Sequence, residues 1–162
     1  MNELTSTSID TKPQPKQLEK EKKTMTLHFF ERRAKRRISR FLKQTANKDH
    51  SPTTRILLGR PGNTTEYVTL RKSTRVYDEK KVPMFDVVQV SFKDKGRGKF
   101  GRLMKAIDEL NPCQGIRIES ITNPILVGWL ERRKEQGWQL EPNSDRVQPT
   151  YYRLNTPTPQ QN

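Results

Sequence analysis

Apolar positions along the chain alternate between helical and strand spacing. In His28 to Gln44 (HFFERRAKRRISRFLKQ), Phe30, Ala34, Ile38, Phe41 and Leu42 recur every three or four residues. That spacing predicts a helix over 28–44. Its other face is basic: between Glu31 and Lys43 there are seven Lys/Arg and one acidic residue. The apolar stripe of such a helix faces either the domain or a partner. Met25 to Phe30 can alternatively be read as a first strand feeding the helix.

Thr54–Leu58 (TRILL) and Thr65–Leu70 (TEYVTL) are rich in strand formers, and the turn residues Gly59 to Asn63 separate them, so a hairpin is expected. Ser73 to Pro83 is polar. Met84–Phe92 (MFDVVQVSF) is apolar on both faces, as in a strand buried within a sheet. Helical spacing returns with Phe100, Leu103, Met104, Ile107 and Leu110, and Asn111-Pro112 ends that helix. Gly115–Ile121 alternates as a strand. Asn123-Pro124 opens a helix with Ile125, Leu126, Trp129 and Leu130 on its apolar side, and Gly137 closes it. A last strand is expected at Tyr151–Leu154. The order implies an α/β (α+β) fold: a mixed, mostly antiparallel central sheet with flanking helices.

Composition changes this picture at the ends. Hydrophobic residues make up 30% of the chain and charged residues 31%. So small an apolar share leaves part of the chain outside any core. The Thr-, Ser-, Pro-, Gln- and Lys-rich stretch 1–24 reads as a disordered arm, 25–155 as the domain, and 156–162 as a disordered tail. Met25 is an alternative start that removes most of the arm. The formal net charge of +14 favours polyanionic surroundings: nucleic acid, an anionic membrane surface or a phosphate-bearing ligand. A single cysteine, Cys113, excludes an intrachain disulfide and cysteine-based zinc sites. With His28 and His50 as the only histidines, no metal-ligand cluster is expected. The N-terminal stretch lacks an apolar run of signal-peptide type and no segment has membrane-spanning length, so a cytoplasmic location is expected.

The segment VVQVSFKDKGRGKFGRLMKAI carries the most chemistry. A buried strand ends, glycines follow, and a helix begins at once. A helix N-terminus offers unpaired N–H groups and the positive end of its dipole, and glycines let a phosphate approach the backbone. Lys95, Arg97, Lys99 and Arg102 add positive charge. The segment lacks the Gly-Lys-Ser/Thr of a nucleotide-binding P-loop. Gly96, Gly98 and Gly101 match G-x-G-x-x-G in form, but no alternating strand–helix series with an acidic ribose ligand follows.

Lys95-Gly96-Arg97-Gly98-Lys99-Phe100 resembles the acyl-CoA signature of the GNAT acyl-CoA N-acyltransferases, Arg/Gln-x-x-Gly-x-Gly/Ala. The elements that follow resemble the family's in order: strand Gly115–Ile121, the helix from Asn123-Pro124 to Gly137-Trp138, and the closing strand Tyr151–Leu154. The resemblance covers about half the chain. It implies an acetyltransferase that moves an acetyl group from acetyl-CoA to an amine, with no metal. It implies cofactor contacts from Val90, Phe92, Lys95, Gly96, Arg97, Gly98, Lys99, Phe100, Gly101 and Asn123. Candidate bases are Glu119 and Asp86, with Glu119 favoured beside the implied splay between two strands. Tyr151 and Tyr152 are candidate acids. The chain departs from the family at Lys95, where Arg or Gln is usual, in a Trp129–Gly137 stretch slightly longer than the common spacing, and in two further ways. Phe100 stands at the Gly/Ala place, and Leu130 or Arg133 stands near the usual helix tyrosine.

Two other readings stay open. One is a nucleic-acid-binding protein that uses Arg32, Arg33, Arg36 and Arg37, with Phe29, Phe30 and Phe41 as stacking groups. The other is a GNAT-like fold that acts only through interactions. The acceptor and the oligomeric state are not legible.

Overall fold

The computed structural model describes residues 15–94 and 97–155. Helix α1 (Pro15–Gln44) leads into strands β1 (Thr54–Leu57), β2 (Tyr67–Tyr77) and β3 (Lys80–Ser91). Helix α2 (Lys99–Leu110), strand β4 (Gly115–Ile118) and helix α3 (Pro124–Glu131) follow. A short 3-10 turn (Lys134–Gln136) precedes β5 (Gln139–Leu140) and β6 (Tyr151–Leu154). The six strands form one sheet in the order β1-β2-β3-β4-β6-β5, and only β3 and β4 run parallel. This is the mixed, mostly antiparallel sheet with flanking helices that the apolar pattern implies.

The helices cover one face of the sheet. Phe85 and Val87 of β3, Ile116 and Ile118 of β4 and Tyr151 of β6 fall on that face by strand alternation and register. Phe41 of α1 stacks on Phe85 at 6.1 Å, and the Tyr151 hydroxyl bonds to Glu131 at the end of α3. Leu103, Met104, Ala106 and Ile107 bury α2 in the same core, and Phe100 of α2 meets Trp129 of α3 edge-on at 5.1 Å. The opposite face carries alternate residues of opposite character: Arg71, Arg75, Asp86, Arg117 and Glu119.

Several boundaries differ from the sequence expectation. Helix α1 begins at Pro15, well inside the stretch expected to be disordered; the rest of that arm, 1–14, and the tail 156–162 lie outside the described residues. Residues 16–24 lack apolar periodicity, but Lys, Gln, Leu and Glu are good helix formers, and Glu19 and Lys23 stand four apart in the favourable order. The turns from Phe30 to Phe41, anchored in the core, supply the nucleus, so extension backwards costs little. The same helix runs through Met25–Phe30, which excludes the alternative first strand. Strand β2 continues through Ser73 to Tyr77 and turns tightly into β3. Asp78 and Glu79 make that turn at φ 48° and 63°. A two-residue turn with both φ values positive normally announces itself as Asn-Gly or Asp-Gly, so Asp-Glu hid it. The two-residue β5 was too short to show a pattern.

Candidate functional site

The carboxyl ends of the parallel strands open into a fork. Pairing runs from Met84↔Gly115 to Val87↔Ile118, with one further bond from the Glu119 N–H to the Val87 carbonyl at 3.0 Å. Beyond it β3 continues to Ser91, whereas β4 turns away. Ser120 bends the chain at φ 44°, with its N–H held by the Thr150 hydroxyl at 3.2 Å. Such a left-handed backbone at a non-glycine residue stores strain, and such residues concentrate at functional sites. Residues Val88 to Ser91 therefore have no strand partner on the β4 side. Val88 also lacks a partner on β2, because Leu70 faces Val87 and Thr69 faces Gln89, which makes Val88 a β-bulge. Crevices outside the carboxyl ends of parallel strands are where open sheets bind ligands.

Two helices begin beside this fork. Helix α2 starts after Gly98, whose φ of 76° only glycine adopts freely, and no side chain caps the first turn. Its N–H groups at that end keep their binding capacity. Helix α3 starts after Asn123, whose carboxamide oxygen accepts the Ile125 N–H at 3.0 Å. The Asn123 side chain is thus engaged in capping.

The remaining residues expected at the turn divide by role. Lys95 and Gly96 lie outside the described residues. Arg97 is exposed and borders a cleft of about 400 Å³ shared with Lys22, Lys23 and Leu27 of α1. Lys99 turns inward and pairs with the buried Glu66, with Asp94 at 3.6 Å. Arg102 bonds Glu31 at 2.9 Å. These two cations tie α2 to α1 and to the loop before β2 rather than meeting an incoming anion. Phe100 points at Trp129, so its bulk lies between α2 and α3. A side chain at Gly101 would meet nothing within 4 Å. Val90 is half-buried, and Phe92 packs edge-on against Phe30 at 5.8 Å.

On the open face, next to the fork, sits a layer of paired charges that the sequence reading did not assemble. Asp86 is fully buried there. Arg71 donates to its Oδ2 from Nε at 3.1 Å and from Nη2 at 2.8 Å. Arg71 and Arg117 both bond Glu119, and Arg75 approaches it at 3.4 Å. Arg117 also grips Glu141 with two bonds, 2.8 and 2.7 Å. Burial alone would lower the Arg117 pKa, but the bonds and charges of Glu141, Glu119 and Asp86 outweigh it and raise the value. Burial likewise pushes the Glu141 carboxyl up, and Arg117 and Tyr77 more than reverse it. Asp86 Oδ1, Arg75 Nε and Ser73 Oγ are buried without a hydrogen-bond partner. A signal existed for half of it: Arg117 and Glu119 alternate with Ile116 and Ile118 at strand period, whereas Arg71, Ser73 and Arg75 are interleaved with the polar Lys72 and Thr74.

Glu119 is therefore brought to the mouth of the fork, and Asp86 lies beneath it under Arg71. The two tyrosines are brought elsewhere. Tyr151 lies on the helical side, and burial together with Glu131 holds its pKa up at about 12. Tyr152 stacks on Tyr77 at 4.3 Å and donates to Gln139 at 3.1 Å. Cys113 is buried, and burial raises its thiol pKa, which keeps it protonated. Among the described residues no cluster of His, Cys, Asp or Glu is arranged to hold a metal, and no helix is long and apolar enough to cross a membrane.

Fold and site together define an α+β protein with a one-sided helical layer and a forked parallel strand pair facing an uncapped helix N-terminus. No protein-family model, curated protein or solved structure matches the chain.

Proposed function

We propose that the chain is an acyl-CoA-dependent N-acyltransferase of the GNAT kind, moving an acetyl group from acetyl-CoA to an amine. The observation that carries this reading is the fork: a bulged β3 leaves β4 after Val87, and α2, the next element, starts uncapped after the left-handed Gly98. The strand order, with β6 between β4 and β5, and the helix starting at Asn123 support it.

In this reading the backbone of Val88 to Phe92 supplies the N–H and C=O groups that a pantetheine arm needs. It binds as an added strand on the edge exposed by the splay. The N–H groups from Gly98 to Gly101 hold the pyrophosphate, since that of Arg102 is already bonded to the Gly98 carbonyl. The N–H of bulged Val88 is the candidate donor to the developing oxyanion. The acceptor amine approaches from the open face, where Glu119 takes its proton as the nitrogen attacks the thioester carbon. The C–S bond then breaks, and the thiolate takes up a proton. Three guanidiniums converge on Glu119 Oε1, which leaves its Oε2 as the oxygen that takes the proton.

Acetyl-CoA at one hundred times its Kd adds about 2.7 kcal/mol to stability. A rise in melting temperature with acetyl-CoA, followed by mass spectrometry of candidate amines for a single acetyl increment, tests both halves. No shift at millimolar acetyl-CoA contradicts binding. A shift without any acetylated amine leaves a CoA-binding interaction protein.

A further inference from the structure

The basic face of α1 is not used by the acyl-transfer reading. Phe29, Arg32, Arg33, Arg36, Arg40 and Lys43 fall within an arc of about 100° on the helix, opposite the buried Phe30, Ala34, Ile38 and Phe41. Arg32, Arg36, Arg40 and Lys43 are exposed. The ion pairs of α1 run instead through Glu31 and Lys35, and among the described residues none engages those four. Arg33 and Arg37 donate to the carbonyls of Leu58 and Leu57, which accept a bond without neutralising charge. The concentration of like charge is felt locally. Burial first, then Arg33, Arg36 and Arg40, lower the Arg37 pKa.

At the Phe29 end the stripe runs into a cleft of about 620 Å³ between α1, the loop before β2 and the end of β3. Arg33, Arg60 and Lys93 line it, and Phe29, 54% exposed, stands at its wall. The two carboxylates there, Glu66 and Asp94, are both taken up by Lys99. The cleft thus combines an exposed aromatic ring with cations that have no internal counter-charge.

We infer that this surface binds single-stranded nucleic acid, with phosphates along Arg32, Arg36, Arg40 and Lys43 and an unpaired base on Phe29. The stripe from Phe29 to Lys43 rises about 21 Å, long enough for several nucleotides. An aromatic platform beside a basic track is the chemistry of single-strand recognition, since a duplex has no free base face to stack. A membrane surface fits less well, because the continuous apolar stripe a surface helix would insert is the one buried in the core. The inference does not rest on acyl transfer.

The test is fluorescence anisotropy of the full chain with a labelled oligouridylate of about 20 nucleotides. The slope of log K against log salt is expected near −3, from about 0.7 per phosphate contact. Arg36→Ala and Arg40→Ala each make it shallower by about 0.7. Phe29→Ala weakens binding roughly ten- to a hundredfold, and Phe29→Trp restores it. These positions are exposed, so the variants keep the fold. Unchanged slopes in both arginine variants, or equal loss in Phe29→Ala and Phe29→Trp, overturn the inference. So does a duplex bound as tightly as the single strand, or a preference for phosphatidylserine vesicles. Displacement of the oligonucleotide by acetyl-CoA would assign the cleft to the cosubstrate instead.

Discussion

Gly98 and Asp86 are the residues at which single changes are most informative. Gly98→Asp forces a side chain into a left-handed backbone and sets a negative charge where the pyrophosphate is proposed to sit. Acetyl-CoA should no longer shift the melting temperature of this variant, while its far-ultraviolet circular dichroism stays that of the parent. Asp86→Ala removes the buried partner of Arg71 and Arg75 and leaves Glu119 as the carboxylate they share. Breaking a buried pair costs about 3–5 kcal/mol, measurable by urea unfolding. Glu119→Gln should keep CoA binding and lower the acetylation rate by two to four orders of magnitude. A rate within tenfold of the parent would remove Glu119 from the chemistry. Glu119, Gly98 and Asn123 were all legible as residues of interest, because their place follows from where strands stop and helices start. Their partners were not. The three arginines around Glu119 come from β2 and β4, and only the register Arg71↔Asp86↔Arg117 brings them together.

At the scale of elements, periodicity located what is anchored by apolar contacts and missed what is not. Helix α2 and strand β3 were legible because each has its own buried stripe or run; the helix expected to close at Gly137 ends at Glu131 instead, with Leu130 buried and Ile125 exposed. The back half of β2 was not, since its outward residues are charged and its turn lacks glycine. The first turns of α1 were also missed, because propensity and attachment to an anchored helix hold them without core contacts. That difference is testable. Among the described residues, a chain begun at Met25 loses exposed helix and no buried side chain, so its melting temperature should stay within about 2 °C of the full chain by differential scanning calorimetry. A larger loss would mean that the first helical turns carry tertiary stability. Ile38→Ala, by contrast, empties a fully buried position between α1 and the sheet, and should cost about 2–5 kcal/mol.

The whole molecule is strongly basic, yet its described carboxylates are mostly engaged. Burial pushes Glu31 up, but Lys35 and Arg102 win and lower its pKa; Lys134 and Tyr151 lower that of Glu131. With Glu141, these three groups have folded-state values below the ordinary 4.5. Their contribution is complete above that pH and is lost as pH falls through the lower folded values. Stability should therefore rise with pH across the acid range below about 4.5, and a flat profile there would contradict the ion-pair assignments. The same basic balance favours polyanions at the surface, and the fork is where we propose that one of them sits.

Amide hydrogen exchange with and without saturating acetyl-CoA tests that seat most directly. The account predicts slowed exchange confined to Val88–Phe92 and to the first turn of α2, Gly98 to Gly101, with the rest of the sheet unchanged. Protection absent from both segments, or found only along α1, would contradict it.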